Sequence, residues 1–340
     1  MNSEVIWIVG STFLLSVLAT DVMRRYALRK NLLDVPNSRS SHTQPTPRGG
    51  GVAIVVAFLA SVLCLVGAGY LNVQFAGAFL MGGGAVAFIG YLDDRGPLRA
   101  NVRFGVQLLA AIFAVVLLGD VPQIELARWG LHGNWLARVI AVLILVWSAN
   151  LFNFMDGIDG IAGSEAAFVC SAGAWLNWYG HGASGLTTAM ACLAAASLGF
   201  LRWNWPPARI FMGDVGSGFV GFTVALFALT ASQSMSVSLE VWGLLGGCFL
   251  ADATVTLLVR VLRGNRWYEA HRSHVYQHLA RRWKGHLPVT LVVSAVNLLW
   301  LLPWAWLATK MPEYARYCLA LGLIPILAIA VVIGAGRKAD

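Results

Sequence analysis

The amino-acid sequence predicts an all-α, polytopic integral membrane protein with about eleven transmembrane helices. Three observations carry that prediction. The 340-residue chain is 58% hydrophobic and only 12% charged, with a mean hydropathy of +0.69, more apolar surface than a soluble domain of this length can hide. Its apolar residues come in runs of roughly 17–25, the length that spans a hydrocarbon layer. Runs such as VAIVVAFLASVLCLVGAG do not alternate with period 2, which excludes a membrane β-barrel.

The runs lie near residues 4–22, 50–69, 75–92, 102–118, 136–154, 163–180, 183–201, 215–231, 239–262, 288–308 and 316–336. The first follows residues that carry Glu4 and no positive charge, and Arg24, Arg25, Arg29 and Lys30 come after it. That order marks a retained anchor with its N-terminus outside, rather than a cleaved leader. From that start, the segments expected on the cytoplasmic side hold 20 of the 24 Lys and Arg residues, and the C-terminus is cytoplasmic. The chain reads as one transmembrane catalytic domain, 1–340, with cytoplasmic loops near 23–49, 93–101, 155–162, 202–214 and 263–287. Its net charge of +8 therefore gathers on one face, suited to anionic head groups or phosphorylated substrates. There is no soluble basic domain to hold nucleic acid. The five cysteines stand singly without a C-x-x-C partner, so they read as packing residues rather than disulfides or a zinc site.

Parity along these spans brings distant carboxylates to one face. Asp93 and Asp94 end the third span, Asp156 and Asp159 follow the fifth, Asp214 precedes the eighth and Glu269 follows the ninth. Side-by-side carboxylates in YLDDRG repel unless a cation lies near, and Arg95 and Arg99 are at hand for a merely solvated pair. In NLFNFMDGIDGIAG, Asp156 and Asp159 stand three apart and share a face on helix or turn geometry. Asn150 and Asn153 lie on the preceding turn, and Gly157, Gly160 and Gly163 leave room for a close approach. Such oxygen-rich clustering suits Mg²⁺, which commonly bridges carboxylate and substrate phosphate; a helix-ending turn is the plainer alternative. In RWNWPPARIFMGDVGSG, Pro206 and Pro207 break the preceding helix, and Asp214 is either a metal ligand or a helix cap. GSGFVG matches a dinucleotide pattern but enters an apolar span with no strand before it, so close helix packing explains it better. His271, His274 and His278 fall at i, i+3 and i+7 among arginines, which favours phosphate or sugar contact over zinc. Asp252, inside the ninth span, is costly facing lipid and is expected to face the bundle, with Arg260 as its candidate partner.

Taken in order, DD at 93–94, NLFNFMDGIDG at 150–160, FMGDVGS at 211–217 and the His loop resemble the polyprenyl-phosphate N-acetylhexosamine-1-phosphate transferases, over nearly the whole chain from DVPNSRSSHTQPTPRGGG onward. The resemblance implies transfer of a sugar 1-phosphate from a UDP-N-acetylhexosamine to undecaprenyl phosphate. The site would lie on the cytoplasmic face of a bacterial inner membrane, with Mg²⁺ or Mn²⁺ as cofactor and a homodimer as an allowed assembly. It implies Asp93, Asp94, Asp156 and Asp159 as catalytic carboxylates, with Asp93 the candidate base, and Asp214 with Asp156 at the metal. Arg48, Asn150, Asn153, Gly157, Ile158, Asn204, Phe211, His271, Arg272 and His274 would bind substrate, Gly157 and Ile158 lining a uridine pocket and Phe211 stacking on uracil. Tyr276 and Gln277 stand where relatives carry histidines, which leans towards the O-antigen and lipopolysaccharide branch and N-acetylated 6-deoxyhexoses or N-acetylglucosamine. A peptidoglycan-precursor transferase and a lipid-linked sugar transporter are the alternatives.

Overall fold

Each apolar run of the sequence is helical in the structure, a computed structural model in which residues 3–36, 44–119, 134–234, 237–265 and 272–337 are described. Helix α1 (Ser3–Arg29) leads to a short antiparallel pair, β1 (Leu33–Asp34) with β2 (Thr46–Pro47). Helix α2 (Gly51–Gly67) follows, and then one span of Val73–Arg95 built from α3 (Val73–Gly77), a π-helical stretch and α4 (Gly84–Arg95). Next come α5 (Ala100–Leu118), α6 (Asn134–Met155), α7 (Ile161–His181), α8 (Gly185–Asn204) and α9 (Asp214–Gln233). Helices α10 (Leu239–Leu245) and α11 (Gly247–Leu262) precede a short helix, α12 (Val275–Arg282). Helices α13 (Leu287–Val296) and α14 (Leu302–Lys310) form one span through a π-helical turn, and α15 (Ala315–Ile333) closes the bundle.

Length and hydropathy alone support fewer than the eleven expected spans. Among the described residues, eight helices are long and apolar enough to cross a membrane, or nine if α10 and α11 count as one. Those two meet at 83° around Gly246, so the ninth run is broken rather than straight. Helix α2 is apolar but has only 17 residues. Helix α7 lies outside the set; it carries Ser164, Glu165 and Asn177 along its length.

Helix α9 is the hub, with 94% of its apolar window buried. Lipid offers no hydrophobic drive for helix association, so packing and small residues decide it. Gly51 of α2 and Gly216 of α9 approach so closely that a Cβ on either would overlap the other's backbone, and Gly90 of α4 lies as tightly on the Asp214 carbonyl. GSGFVG is thus a helix-packing surface. Above it, Phe58, Phe79, Phe219 and Phe227 meet with ring centroids 5.1–6.0 Å apart. The five cysteines are free thiols, three of them buried.

Close packing at the Gly51–Gly216 contact gives a direct test. Gly51→Val should cost about 1–3 kcal/mol through overpacking and lower the melting temperature in detergent. Gly84→Ala, where a Cβ meets nothing within 4 Å, should leave it unchanged or raise it slightly.

Candidate active site

Polar contacts collect at one end of the bundle. Asp94, the penultimate residue of α4, accepts the Asp214 and Val215 amides of α9 at 2.9 and 3.1 Å. It therefore caps a helix that begins 120 residues later, using the exposed N–H groups and the positive dipole end of α9. Backbone bonds from Phe211 to Pro47, and from Gly50 and Gly51 back to Phe211 and Met212, lay the β2 segment along the α9 entrance. That places Arg48, whose Nε meets Asp94 and whose Nη2 meets Asp214, both at 2.8 Å. Burial opposes the charge on Arg48, but Asp214, Asp94 and Asp34 outweigh it and raise its pKa. Arg103, one turn into α5, bridges Asp93 at 2.6 Å and the other Asp214 oxygen at 3.2 Å. Asp93 also accepts the Leu98 amide at 2.6 Å and lies within hydrogen-bonding reach of Asp214.

Asp156 faces this cluster from the α6–α7 loop. Burial pushes its pKa well up, Asp214, Asp94 and Asp159 add to the rise, and Arg48 opposes it. No direct hydrogen bond or ion pair engages its carboxyl among the described residues. Asp93, Asp94, Asp156 and Asp214 set four carboxyl groups against the two guanidiniums of Arg48 and Arg103, a formal excess of two acidic groups. A divalent cation fits that excess and the unpaired Asp156. Among the described residues, no group of three His, Cys, Asp or Glu side chains is arranged to hold a metal.

Asp159 does different work. Its Oδ2 accepts the Ala208 amide at 3.0 Å and its carbonyl accepts Thr290 Oγ1 at 2.9 Å. His286 Nδ1 lies 3.1 Å from its Oδ1 and 3.3 Å from its amide, donating to the first when protonated and accepting from the second when not. Asp159 thus stitches the α6–α7 loop to the 205–213 loop and to the start of α13. It also lines a cavity of about 850 Å³ together with Thr46, Pro206, Pro207, Ala208 and Phe211. Its lining is also basic, with Arg272, Arg281, Lys284 and His286.

Several expected ligand contacts are internal contacts here. Asn150 donates to Gln107 Oε1 and Asn153 to Ser217 Oγ, fastening α6 to α5 and α9. Gly157 makes room for the Tyr276 hydroxyl, which donates to the Phe154 carbonyl, and Ile158 is 5% exposed within the hydrophobic core. Neither lines the cavity. Asn204 is buried, accepting the Gly160 amide and donating to the Ile210 carbonyl. Asp252 does face the bundle, but it meets His274 Nδ1 at 3.1 Å and accepts the Val275 and Tyr276 amides and Thr256 Oγ1. It caps α12, and buried His274 belongs to that knot rather than to the cavity. Gln277 accepts the His274 amide. His271 lies outside the described residues. Of the substrate-binding set, Phe211 and Arg272 line the cavity and Arg48 stands at the carboxylates.

Arg103, His286, Thr290 and Lys284 were not singled out from the sequence. Arg103 carried a readable signal, a lone cation in the first turn of an apolar span. His286 and Thr290 gave none, since their partner Asp159 is more than 120 positions away.

With this geometry in view, the similarities to known proteins become informative. A family model described as glycosyl transferase family 4 matches residues 76–232, which hold Asp93, Asp94, Asp156, Asp159 and Asp214. A probable undecaprenyl-phosphate N-acetylglucosaminyl 1-phosphate transferase of Bacillus subtilis is 29% identical over 291 residues, covering 84% of this chain and 80% of that protein. A decaprenyl-phosphate N-acetylglucosaminephosphotransferase of Mycobacterium tuberculosis is 29% identical over 310 residues, covering 82% and 76%. Over most of its length the chain is similar to polyprenyl-phosphate N-acetylglucosamine-1-phosphate transferases. A third relative, the undecaprenyl-phosphate α-N-acetylglucosaminyl 1-phosphate transferase of Escherichia coli, is 28% identical over 287 residues, covering 80% and 75%. The chain holds its His-loop helix, α12, on a buried aspartate. Asp252→Ala strands two α12 amides and His274, and breaking a buried pair of this kind costs about 3–5 kcal/mol. Hydrogen exchange across Val275–Arg282 should accelerate and the melting temperature fall; unchanged exchange would show that another contact holds α12.

Proposed function

We propose that this protein transfers an N-acetylhexosamine 1-phosphate from a UDP-sugar to undecaprenyl phosphate, releasing UMP and leaving undecaprenyl-diphosphate-sugar. The observation that carries this reading is the juxtaposition of an acidic centre, in which four carboxyl groups meet two guanidiniums, with a basic cavity of about 850 Å³, a size that suits a drug-sized or nucleotide-sized ligand. The named reactions of the relatives support the same chemistry. N-Acetylglucosamine is the first sugar to test, with N-acetylated 6-deoxyhexoses beside it, and the pathway is the first membrane step of O-antigen or related envelope glycan synthesis. The site would face the cytoplasm of a bacterial inner membrane.

Arg272, Arg281 and Lys284 offer charge-assisted donors to a diphosphate, while Phe211 and the paired prolines present apolar faces to a base or sugar. Asp214 and Asp156 would hold Mg²⁺ or Mn²⁺, whose chemistry at such a site is to neutralise charge on the diphosphate and the departing phosphate. The acceptor oxygen attacks the β-phosphorus in line, and its bond to the bridging oxygen of UMP breaks. Phosphoryl transfer depends mainly on positioning and charge. The second pKa of a phosphate monoester is about 6, so the acceptor is largely dianionic at neutral pH and needs little help losing a proton. That agrees with Asp93, whose oxygens are held by Arg103 and the Leu98 amide. Asp93 and Asp94 act here as positioning groups, which favours a single displacement over a phospho-aspartate route.

Turnover of radiolabelled UDP-sugars with undecaprenyl phosphate by the purified full-length protein tests the reading directly. Transport without product would support the transporter alternative, and preference for a muramyl-peptide donor the peptidoglycan one. Asp214→Asn should lower turnover by about 100-fold or more, as should chelation of divalent cations; retained activity under both would remove the metal from the account. Asp93→Asn should lower kcat by a factor that stays constant between about pH 6 and pH 8, on either side of the acceptor's second pKa; a loss that deepens towards the acidic end would identify a base. His286→Ala should raise the donor KM about ten-fold with little change in kcat, the worth of one hydrogen bond to a charged group, and His286→Asn should restore much of it.

A further inference from the structure

A second anion site is built where α1 and α8 leave the hydrocarbon layer. Trp203, in the last turn of α8, donates its indole N–H to the Val17 carbonyl of α1 at 3.1 Å, which pins the ring. Three guanidiniums converge on that ring, with Arg24, Arg202 and Arg209 at 5.0, 5.5 and 5.9 Å from its centroid. Like charges gathered this closely repel. The indole face returns only about 0.5–1 kcal/mol per cation at an exposed site. Asp21 compensates Arg24 and Arg25, at 3.0 and 2.6 Å. Arg202 and Arg209 are exposed, and among the described residues no carboxylate pairs with either. The arrangement lacks an anion.

The surroundings say which anion. Leu198, 48% exposed, stands one helical turn before Arg202 on the same face of α8. Leu14, Leu18 and Val22, each 59–67% exposed, form the parallel outer stripe of α1. Trp205, 42% exposed, sits just past the α8 end, where an amphipathic ring is at home between hydrocarbon and water. Apolar rails therefore run along two neighbouring helices up to a pair of unpaired guanidiniums. Guanidinium binds phosphate through a two-pronged fork.

We propose that Arg202 and Arg209, organised on Trp203, form a binding site for the phosphodiester head group of an anionic bilayer phospholipid, with its acyl chains lying along α1 and α8. The site is separate from the carboxylate cluster and its basic cavity, and it does not depend on the reaction proposed above. Anchoring a lipid here braces the α1–α8 pair at the end of the bundle where the chemistry is proposed.

Native mass spectrometry of the detergent-solubilised full-length protein with phosphatidylglycerol tests this. The unsubstituted protein should retain the lipid at least ten-fold more strongly than phosphatidylcholine. Arg202→Gln with Arg209→Gln should lose that preference ten-fold while keeping the melting temperature, and Arg138→Gln, an exposed arginine on α6, should keep it. Equal retention by the double variant would overturn the proposal, as would equal affinity for phosphatidylcholine. Displacement of phosphatidylglycerol by millimolar inorganic phosphate would make this a free-anion site, and one-for-one displacement by micromolar undecaprenyl phosphate would assign it to the acceptor; either result overturns it too.

Discussion

The two-sided grip on Asp214 underlies the rest of this structure. Asp94 binds the first amides of α9 from below, and Arg48 and Arg103 each take one oxygen of the Asp214 side chain. In hydrocarbon, every unsatisfied backbone group costs several kcal/mol, and α9 is the most buried helix of the bundle. Its first turn cannot rely on water. Capping it from α4 satisfies that turn and fixes the relative height of α4 and α9. Arg48 then ties the β1–β2 segment to both helices. Three stretches of chain meet at one carboxylate, so the element that makes the bundle foldable also sets out the reactive centre.

This dual use explains why the acidic cluster is stable without being neutral. Four carboxylates with two arginines carry an unbalanced charge, and removing one partner of a buried pair is more costly than the pair itself is worth. The arginines bridge Asp93, Asp94 and Asp214 while leaving Asp156 without a direct partner among the described residues. Burial has already raised the proton affinity of that side chain. A carboxyl in that state binds either a proton or a cation. That competition lets a site at neutral pH accept a divalent ion together with a polyanionic ligand.

Much of this was legible in the sequence, and the boundary between what was and was not is physical. Helix placement follows from apolar run length, a local property, and the runs are helices throughout. The 83° break at Gly246 was not visible, because α10 and α11 are equally apolar and Gly246–Gly247 resembles any helix-packing pair. The gathering of Asp93, Asp94, Asp156 and Asp214 followed from span parity, which is also a counting argument. What each one does was not readable, because it depends on partners far along the chain. Asp94 became a cap through α9, and Asp159 a tie through His286, Ala208 and Thr290. The glycines of GIDG looked like room for a ligand; at Gly157 the room is taken by Tyr276. A polar residue in a membrane protein has few ways to be satisfied, and the spacing in sequence does not say which way is used.

The basic wall of the cavity shows the consequence of those ties. Lys284 and His286 sit just before α13, and that helix is registered on the segment 159–165 at three successive heights. His286 and Thr290 meet Asp159, and about two turns beyond Thr290 Asn297, on the π-helical turn, donates to the buried Glu165 of α7. Three polar contacts along one helix face leave it little freedom to slide or rotate against α7. The π-helical turn brings Asn297 round to the buried Glu165 carboxyl of α7 while His286 remains at Asp159, and the result is register. The cations of the cavity are thereby held at a set distance from the aspartates of the α6–α7 loop. Attraction between the two walls would otherwise close the space between them. Holding both walls on helices that are locked to each other keeps that charge separation in place, ready for a ligand whose own charges are divided the same way, as those of a metal-bound nucleotide diphosphate are.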